Sequence, residues 1–146
     1  MKMLNQVKIT FAGRSVNEGF ARAALAAFLV QLDPTVPQLA DMKTAVSEAV
    51  TNCIVHAYPD TIGPVTLKAR ILPDHVLDII VKDRGCGIAD VEAACRPMFT
   101  TGGEERSGMG ITIMESFMTE FRLTSTPGKG TTVHMKRRIV RRGGKK

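Results

Sequence analysis

Two strand-like runs, VTLKARIL (65–72) and HVLDIIVKD (75–83), follow each other across a short turn at Pro73-Asp74. Strands joined this closely pair as antiparallel neighbours, because a parallel partner needs a long crossover between them. The chain closes in the same way. FRLTST (121–126) and TTVHMKRRIV (131–140) lie either side of the tight-turn sequence PGKG. Near the start, Val7, Ile9 and Phe11 alternate with polar residues and read as a first strand that Gly13 ends.

The helical stretches are grouped rather than interleaved with these strands. Ser15-Val16-Asn17-Glu18 has the form of a capping box, and an Ala-rich apolar helix follows to about Leu32. DPTVP (33–37) is a break, and Pro37 is placed to open a second helix from about Gln38 to Tyr58, which Pro59 stops. IADVEAACR reads as a short helix. PMFTTGGEERSGMG (97–110) holds four glycines with little apolar periodicity and reads as a mobile loop, and ITIMESFM continues it as a helix. The order β-α-α-β-β-(α)-loop-α-β-β predicts an α+β sandwich, one domain over residues 1–146 with a basic tail from about 136.

The formal charge of +6 is concentrated at the end of the chain. The last eleven residues, KRRIVRRGGKK, carry seven basic side chains, and without them thirteen basic residues face fourteen acidic ones. The body is close to neutral, holds no Trp, and lacks the basic face interleaved with aromatics that nucleic acids favour. Direct nucleic-acid binding is not expected, and the tail reads as a frayed, solvated end. No apolar run is long enough to cross a membrane. Cys53, Cys86 and Cys95 are odd in number and lack metal-site spacing, which predicts a reduced, cytoplasmic protein.

Four pieces of chemistry are spread along the chain. Glu48, Asn52 and His56 recur every four residues on the second helix, near one face of an otherwise apolar segment. They form either a solvated stripe or a polar site on a buried helix. Asp83 ends a strand of buried character and begins Asp-Arg-Gly-Cys-Gly. A carboxylate there needs strong donors. The segment is either an Asp-initiated turn or a wall where Gly85 and Gly87 let a flat ligand approach, with Asp83 taking an exocyclic amine. Gly108 and Gly110 precede a helix whose N–H groups suit phosphate, with Arg106 beside them; the plain reading is a loop with an incidental Arg. GKGTT is a hairpin turn followed by Thr131. Cys53, Cys86 and the methionines Met114 and Met118 read as packing residues, and His56 as structural.

Taken in order, this set resembles the ATP-binding domain of the GHKL superfamily of gyrases, Hsp90-type chaperones, histidine kinases and MutL, over roughly Ala45 to Val133. The resemblance implies a Bergerat fold, a mixed, mostly antiparallel sheet covered by helices with a flexible lid. Neither G-x-x-x-x-G-K-[ST] nor a His-Arg-Asp catalytic loop is present. FARAALAAFLVQLDPT, KTAVSEAVTNCIVHAY and ERSGMGITIMESFM narrow the resemblance to anti-sigma serine kinases of sporulating bacteria, over nearly the whole chain. TTGGEE in the lid, Ala57 where relatives often carry Gly, and the long basic tail depart from that pattern.

What the resemblance implies can be stated residue by residue. Asn52 would ligate Mg²⁺, and Glu48 would take or orient the proton of the attacking hydroxyl. Asp83, Gly85, Gly87 and Thr131 would form the adenine side. Gly108, Met109 and Gly110 would meet the ATP or ADP phosphates, and Arg106 would stabilise charge on the γ-phosphate. Apart from the resemblance, Glu18 and Arg22 read as an exposed i,i+4 pair on the first helix, either an ordinary helix pair or the place where Arg22 docks the protein partners. Those partners would be the sigma-F factor, which is held, and an anti-anti-sigma factor, which is phosphorylated on a serine. A homodimer pairing through the N-terminal strand is also implied. A kinase serving a general stress sigma factor, or a nucleotide-gated binding module without kinase activity, would carry most of the same residues.

Overall fold

The computed structural model describes residues 3–58, 61–87 and 110–142. Five strands, β1 (Asn5–Ala12), β2 (Pro64–Leu72), β3 (Val76–Asp83), β4 (Glu120–Thr126) and β5 (Gly130–Arg138), form one sheet in the spatial order β1-β2-β3-β5-β4. Every pairing among the described strands is antiparallel, so the sheet shows no mixed character there. The helices are α1 (Val16–Leu29), α2 (Val36–Asn52) and α3 (Gly110–Ser116). The expected short helix after Gly87 and the loop leading to Gly110 lie outside the described residues.

The period-two pattern decides which sheet face is covered. Val7, Ile9 and Phe11 of β1 point the same way as Val65, Leu67, Ala69 and Ile71 of β2 and Leu77, Ile79 and Val81 of β3. Onto them pack Ala21, Leu25 and Leu29 of α1, Met42, Ala45, Val46, Ala49 and Val50 of α2, and Met114 of α3. The result is the two-layer α+β sandwich that the strand order predicts. Removing a side chain such as Leu25 or Met42 from water is worth about 1.5–3 kcal/mol.

The helix starts differ from expectation. Ser15 has helical backbone angles and its side chain caps nothing, while Glu18 turns to Arg22 instead of back to Ser15. The true capping box lies at α2. Thr35 accepts from the Gln38 N–H at 3.3 Å, and the Gln38 side chain accepts from the Thr35 N–H at 3.2 Å. Pro37 sits in the first turn, where its missing N–H costs nothing.

The tail is not frayed as far as Arg142. Residues up to Arg138 belong to β5, and Arg137 reaches Asp41 and the Phe117 carbonyl at 3.2 and 3.0 Å. Ile139 is buried and donates its N–H to His75 O at 2.8 Å. Arg142 donates its backbone N–H to Asp33 O at 2.6 Å, and its side chain reaches the Asp33 carboxylate at 3.4 Å. A run of like charge reads as solvated, but these cations find acids and carbonyls that the chain carries far away in sequence.

On the face away from the helices, Asp78 of β3 is fully buried, with Arg70 and His134 as its partners. Arg70 Nε donates to Asp78 Oδ2 at 2.6 Å, and His134 Nε2 meets Asp78 Oδ1. A carboxylate removed from water needs this pairing.

Candidate functional site

The site is built where α2 ends. Met42, Ala45, Val46, Ala49 and Val50 hold one side of α2 in the core. Glu48 and Asn52 stand one turn apart on its half-buried flank. Among the described residues neither side chain forms a hydrogen bond or ion pair. Immediately after Asn52 the helix widens into a π-turn over Cys53–Ala57, a rare form that frequently marks functional positions. Tyr58 then leaves the helix with φ −126° and ψ 63°.

Asp83 ends β3 beside this turn. It is 4% exposed, and its Oδ1 accepts the Gly85 N–H at 2.9 Å and the Thr131 N–H at 3.1 Å. The Asp-initiated turn is therefore formed. It also ties the end of β3 to the first residues of β5. The Thr131 hydroxyl meets Ser125 Oγ at 2.8 Å. Beyond the turn, the backbone is threaded between two neighbours. Cys86 donates its N–H to Ala57 O at 3.0 Å and accepts from the Gly128 N–H at 2.7 Å.

This crossing explains the glycines. A Cβ on Gly85 would lie 2.2 Å from Ala57 O, and one on Gly130 2.2 Å from Asp83 O. Gly87 has φ 78° and abuts Thr126 O. Gly85 is thus required by backbone packing against the π-turn. The clearance expected for a ligand at Gly85 is filled on one side by the protein's own carbonyl.

Two titrating groups sense the corner. Burial pushes the Cys53 thiol well above its usual range, and the facing Asp83 carboxylate adds to the shift. Burial also raises the Tyr58 phenol, partly offset by the Arg84 N–H that it accepts. Cys86, expected to be a packing residue, is exposed, although its thiol donates to His56 O at 3.2 Å.

The fold brings together Asp83, Gly85, Gly87 and Thr131. It places Glu48 and Asn52 on the helix that leads into the same corner. Gly110 opens α3, whose Met114 packs in the core beside α2. Arg106, Gly108 and Met109 lie outside the described residues. Glu18 and Arg22 lie on α1, and the Arg22 guanidinium spans Glu18 Oε2 at 2.8 Å and Ser47 Oγ at 3.2 Å. The pair is half-buried and cross-links α1 to α2, one residue from Glu48, where a freely exposed pair was expected.

Sequence reasoning missed Tyr58, the π-turn and the Arg22–Ser47 bridge. Only the Tyr beside Pro59 could have signalled the first, and nothing local signals the others. Among the described residues no group of three or more His, Cys, Asp or Glu could cage a metal ion. The donor set fits a different arrangement. The Asn52 amide oxygen could give one hard ligand, too few to cage an ion but of the kind that suits Mg²⁺.

Residues 13–137 match the family described as Histidine kinase-like ATPase domain. A protein from Caldanaerobacter subterraneus subsp. tengcongensis named Anti-sigma F factor is 54% identical over 142 residues, which covers 97% of this chain and 99% of the relative. The protein of the same name from Geobacillus kaustophilus is 49% identical over 140 residues, covering 95% and 96%. Among solved structures, the RsbU and RsbW domains of Rv1364c from Mycobacterium tuberculosis align with a TM-score of 0.69 at 22% identity, over 93% of this chain and 33% of that one. A histidine kinase domain from Erythrobacter litoralis aligns with a TM-score of 0.58 at 20% identity, over 84% and 61%. At these identities the structural likenesses speak for the fold.

Proposed function

The chain belongs to the histidine kinase-like ATPase family and, within it, to the anti-sigma F factors, and from that membership we propose that it is an ATP-dependent serine kinase that also holds a sigma factor. The observation that carries this reading is the junction of α2 with the end of β3. Asn52 and Glu48 stand one turn apart, and Cys53, the next residue after Asn52, faces the carboxylate of Asp83.

Asp83 is rigidly held through Oδ1, so its remaining acceptor capacity has a fixed direction. That capacity suits the exocyclic amine of adenine. Gly87 and Thr131 line the same corner, and Gly85 keeps the loop pressed to α2. Asn52 would hold Mg²⁺, which would offset the negative charge of the phosphates. Gly108, Met109 and Gly110 are assigned to the phosphates by family likeness, and Arg106 to the γ-phosphate.

In the reaction, the serine Oγ of the anti-anti-sigma partner forms a bond to the γ-phosphorus while the bond from that phosphorus to the β-phosphate oxygen breaks. Glu48 accepts the serine proton, and ADP leaves. The carboxylate orients the hydroxyl as the bond forms, the function of a positioned general base. Glu18 and Arg22 are the part of α1 we assign to partner contact. β1 is an edge strand of the sheet, where a second copy would add its own. No described helix is long and apolar enough to cross a membrane. We place the protein in the cytoplasm with its partners.

The deciding experiment follows label from γ-³²P-ATP into a candidate anti-anti-sigma protein. Glu48→Ala should lower transfer by roughly a hundredfold or more while ADP still binds with near wild-type affinity. A wild-type protein that binds ATP and a sigma factor but transfers no label would favour a nucleotide-gated binding module.

A further inference from the structure

We propose that Tyr58 is a positioning residue for nucleotide recognition: its phenol fixes the backbone after Asp83 to the end of the π-turn, and so sets where the base-reading carboxylate stands relative to Asn52. The inference rests on the reading of Asp83 as the residue that meets the base.

The Tyr58 hydroxyl uses both of its hydrogen-bonding functions. It donates to Pro64 O at 2.7 Å and accepts the Arg84 N–H at 2.7 Å. One side chain thereby joins the start of β2, the residue following Asp83, and the C-terminal end of the π-turn. The residue is 7% exposed, so a buried side chain presents the hydroxyl to two exposed backbone segments, at Pro64 and Arg84, and holds them together.

The ring is seated as firmly as the hydroxyl. A Cβ on Gly63 would lie 2.2 Å from Tyr58 Cε1, so the ring rests directly on the Gly63 backbone. Gly13 closes the other approach, with its Cβ position 3.5 Å from Tyr58 Cδ2, and its N–H is bonded to Gly63 O at 2.8 Å. The phenol cannot shift without moving two backbones. A second link runs parallel to it, since Ala57 O accepts the Cys86 N–H at 3.0 Å. The stretch from Asn52 to Tyr58 is thus anchored to the Asp83 turn at both Arg84 and Cys86. The segment that carries the metal ligand and the one that reads the base are held as one body.

A residue that merely stabilised the fold would affect every ligand alike. A positioning residue affects the base and spares the phosphates. Calorimetric affinities of wild type and Tyr58→Phe should therefore be compared for ADP, for IDP, which presents a carbonyl oxygen in place of the amine, and for magnesium tripolyphosphate. Tyr58→Phe should weaken ADP roughly tenfold, narrow the preference for ADP over IDP by a similar factor, and leave tripolyphosphate within about twofold. An unchanged ADP preference, or equal weakening of ADP and tripolyphosphate, overturns the proposal. A wild type without preference for ADP over IDP overturns the reading of Asp83 itself, and this inference with it. If Tyr58→Phe does not fold, amide exchange of the wild type decides. An Arg84 amide protected in the free protein and protected further by ADP supports the role, and one exchanging like an open loop removes it.

Discussion

The Cys53 thiol lies against the Asp83 carboxylate at the point where α2 widens and β3 stops. The contact joins a helix and a strand that the sequence separates by thirty residues. It also places a neutral, buried thiol beside the charge most important to the proposed site.

That pairing makes stability pH-dependent in one direction. The folded protein keeps the Cys53 proton to higher pH than the unfolded chain does, whose thiol ionises near about 8.5. Below that value the contribution is constant. Above it, unfolding releases a proton that the folded state holds, so stability falls as pH rises. The raised Tyr58 phenol acts with the same sign at higher pH, beyond about 10. Urea midpoints should be flat from neutral pH to about 8 and then decline. Cys53→Ala should remove the first part of the decline, and a midpoint that climbs between pH 9 and 10 would contradict this account.

The glycines of the corner should rank by what each would strike. Gly128 has φ 79° but open space around its Cβ position, so Gly128→Ala should cost about 1–2 kcal/mol from backbone conformation alone. Gly85→Ala meets Ala57 O, and Gly130→Ala combines φ 120° with a clash on Asp83 O. Both should cost more than about 3 kcal/mol, an amount typical of backbone displacement in a packed region. Chemical denaturation of the three variants tests the order.

Replacing Asp83 separates charge from shape. Asp83→Asn keeps the size but weakens acceptance from the Gly85 and Thr131 N–H groups. We expect a stability loss of about 1–3 kcal/mol and an ADP affinity lowered more than about tenfold, measured by calorimetry on the folded variant. Retained tight ADP binding would move the adenine side elsewhere.

Arg22 has two roles to distinguish. Its side chain is 42% exposed, and its pairing with Glu18 is worth about 1 kcal/mol or less. Arg22→Ala should thus melt near wild type, bind ADP normally, and lose about tenfold or more in sigma-factor affinity. Ser47→Ala removes only the internal bridge and should leave partner affinity within about twofold, since Arg22 keeps its pairing with Glu18. Equal losses in both variants would assign the effect to helix packing.

The strands were legible because alternation survives in single segments: Val7, Ile9 and Phe11, or Val65, Leu67 and Ala69, declare their inward face without help from the rest of the chain. The helix ends were less so. Ser15 and Glu18 satisfy the capping pattern, yet Arg22 competes for Glu18 with a full charge, and the box forms instead at Thr35 and Gln38. Asp83 was found because it follows an apolar run and precedes glycines. Asp78 was passed over, because its partners Arg70 and His134 become neighbours only once the strand register is known. The roles of Gly85 and Tyr58 depend on backbone from elsewhere in the chain, which no local pattern encodes.

The widened turn at Cys53–Ala57 makes this part of the chain intolerant of a change in length. Deleting one residue there would restore ordinary helical pitch and swing everything downstream by about 100°. Tyr58 would then aim away from Arg84, while Asn52 stayed where it was. Homologues that differ at the half-buried Ile54, Val55 and His56 should therefore still agree on the number of residues in the turn.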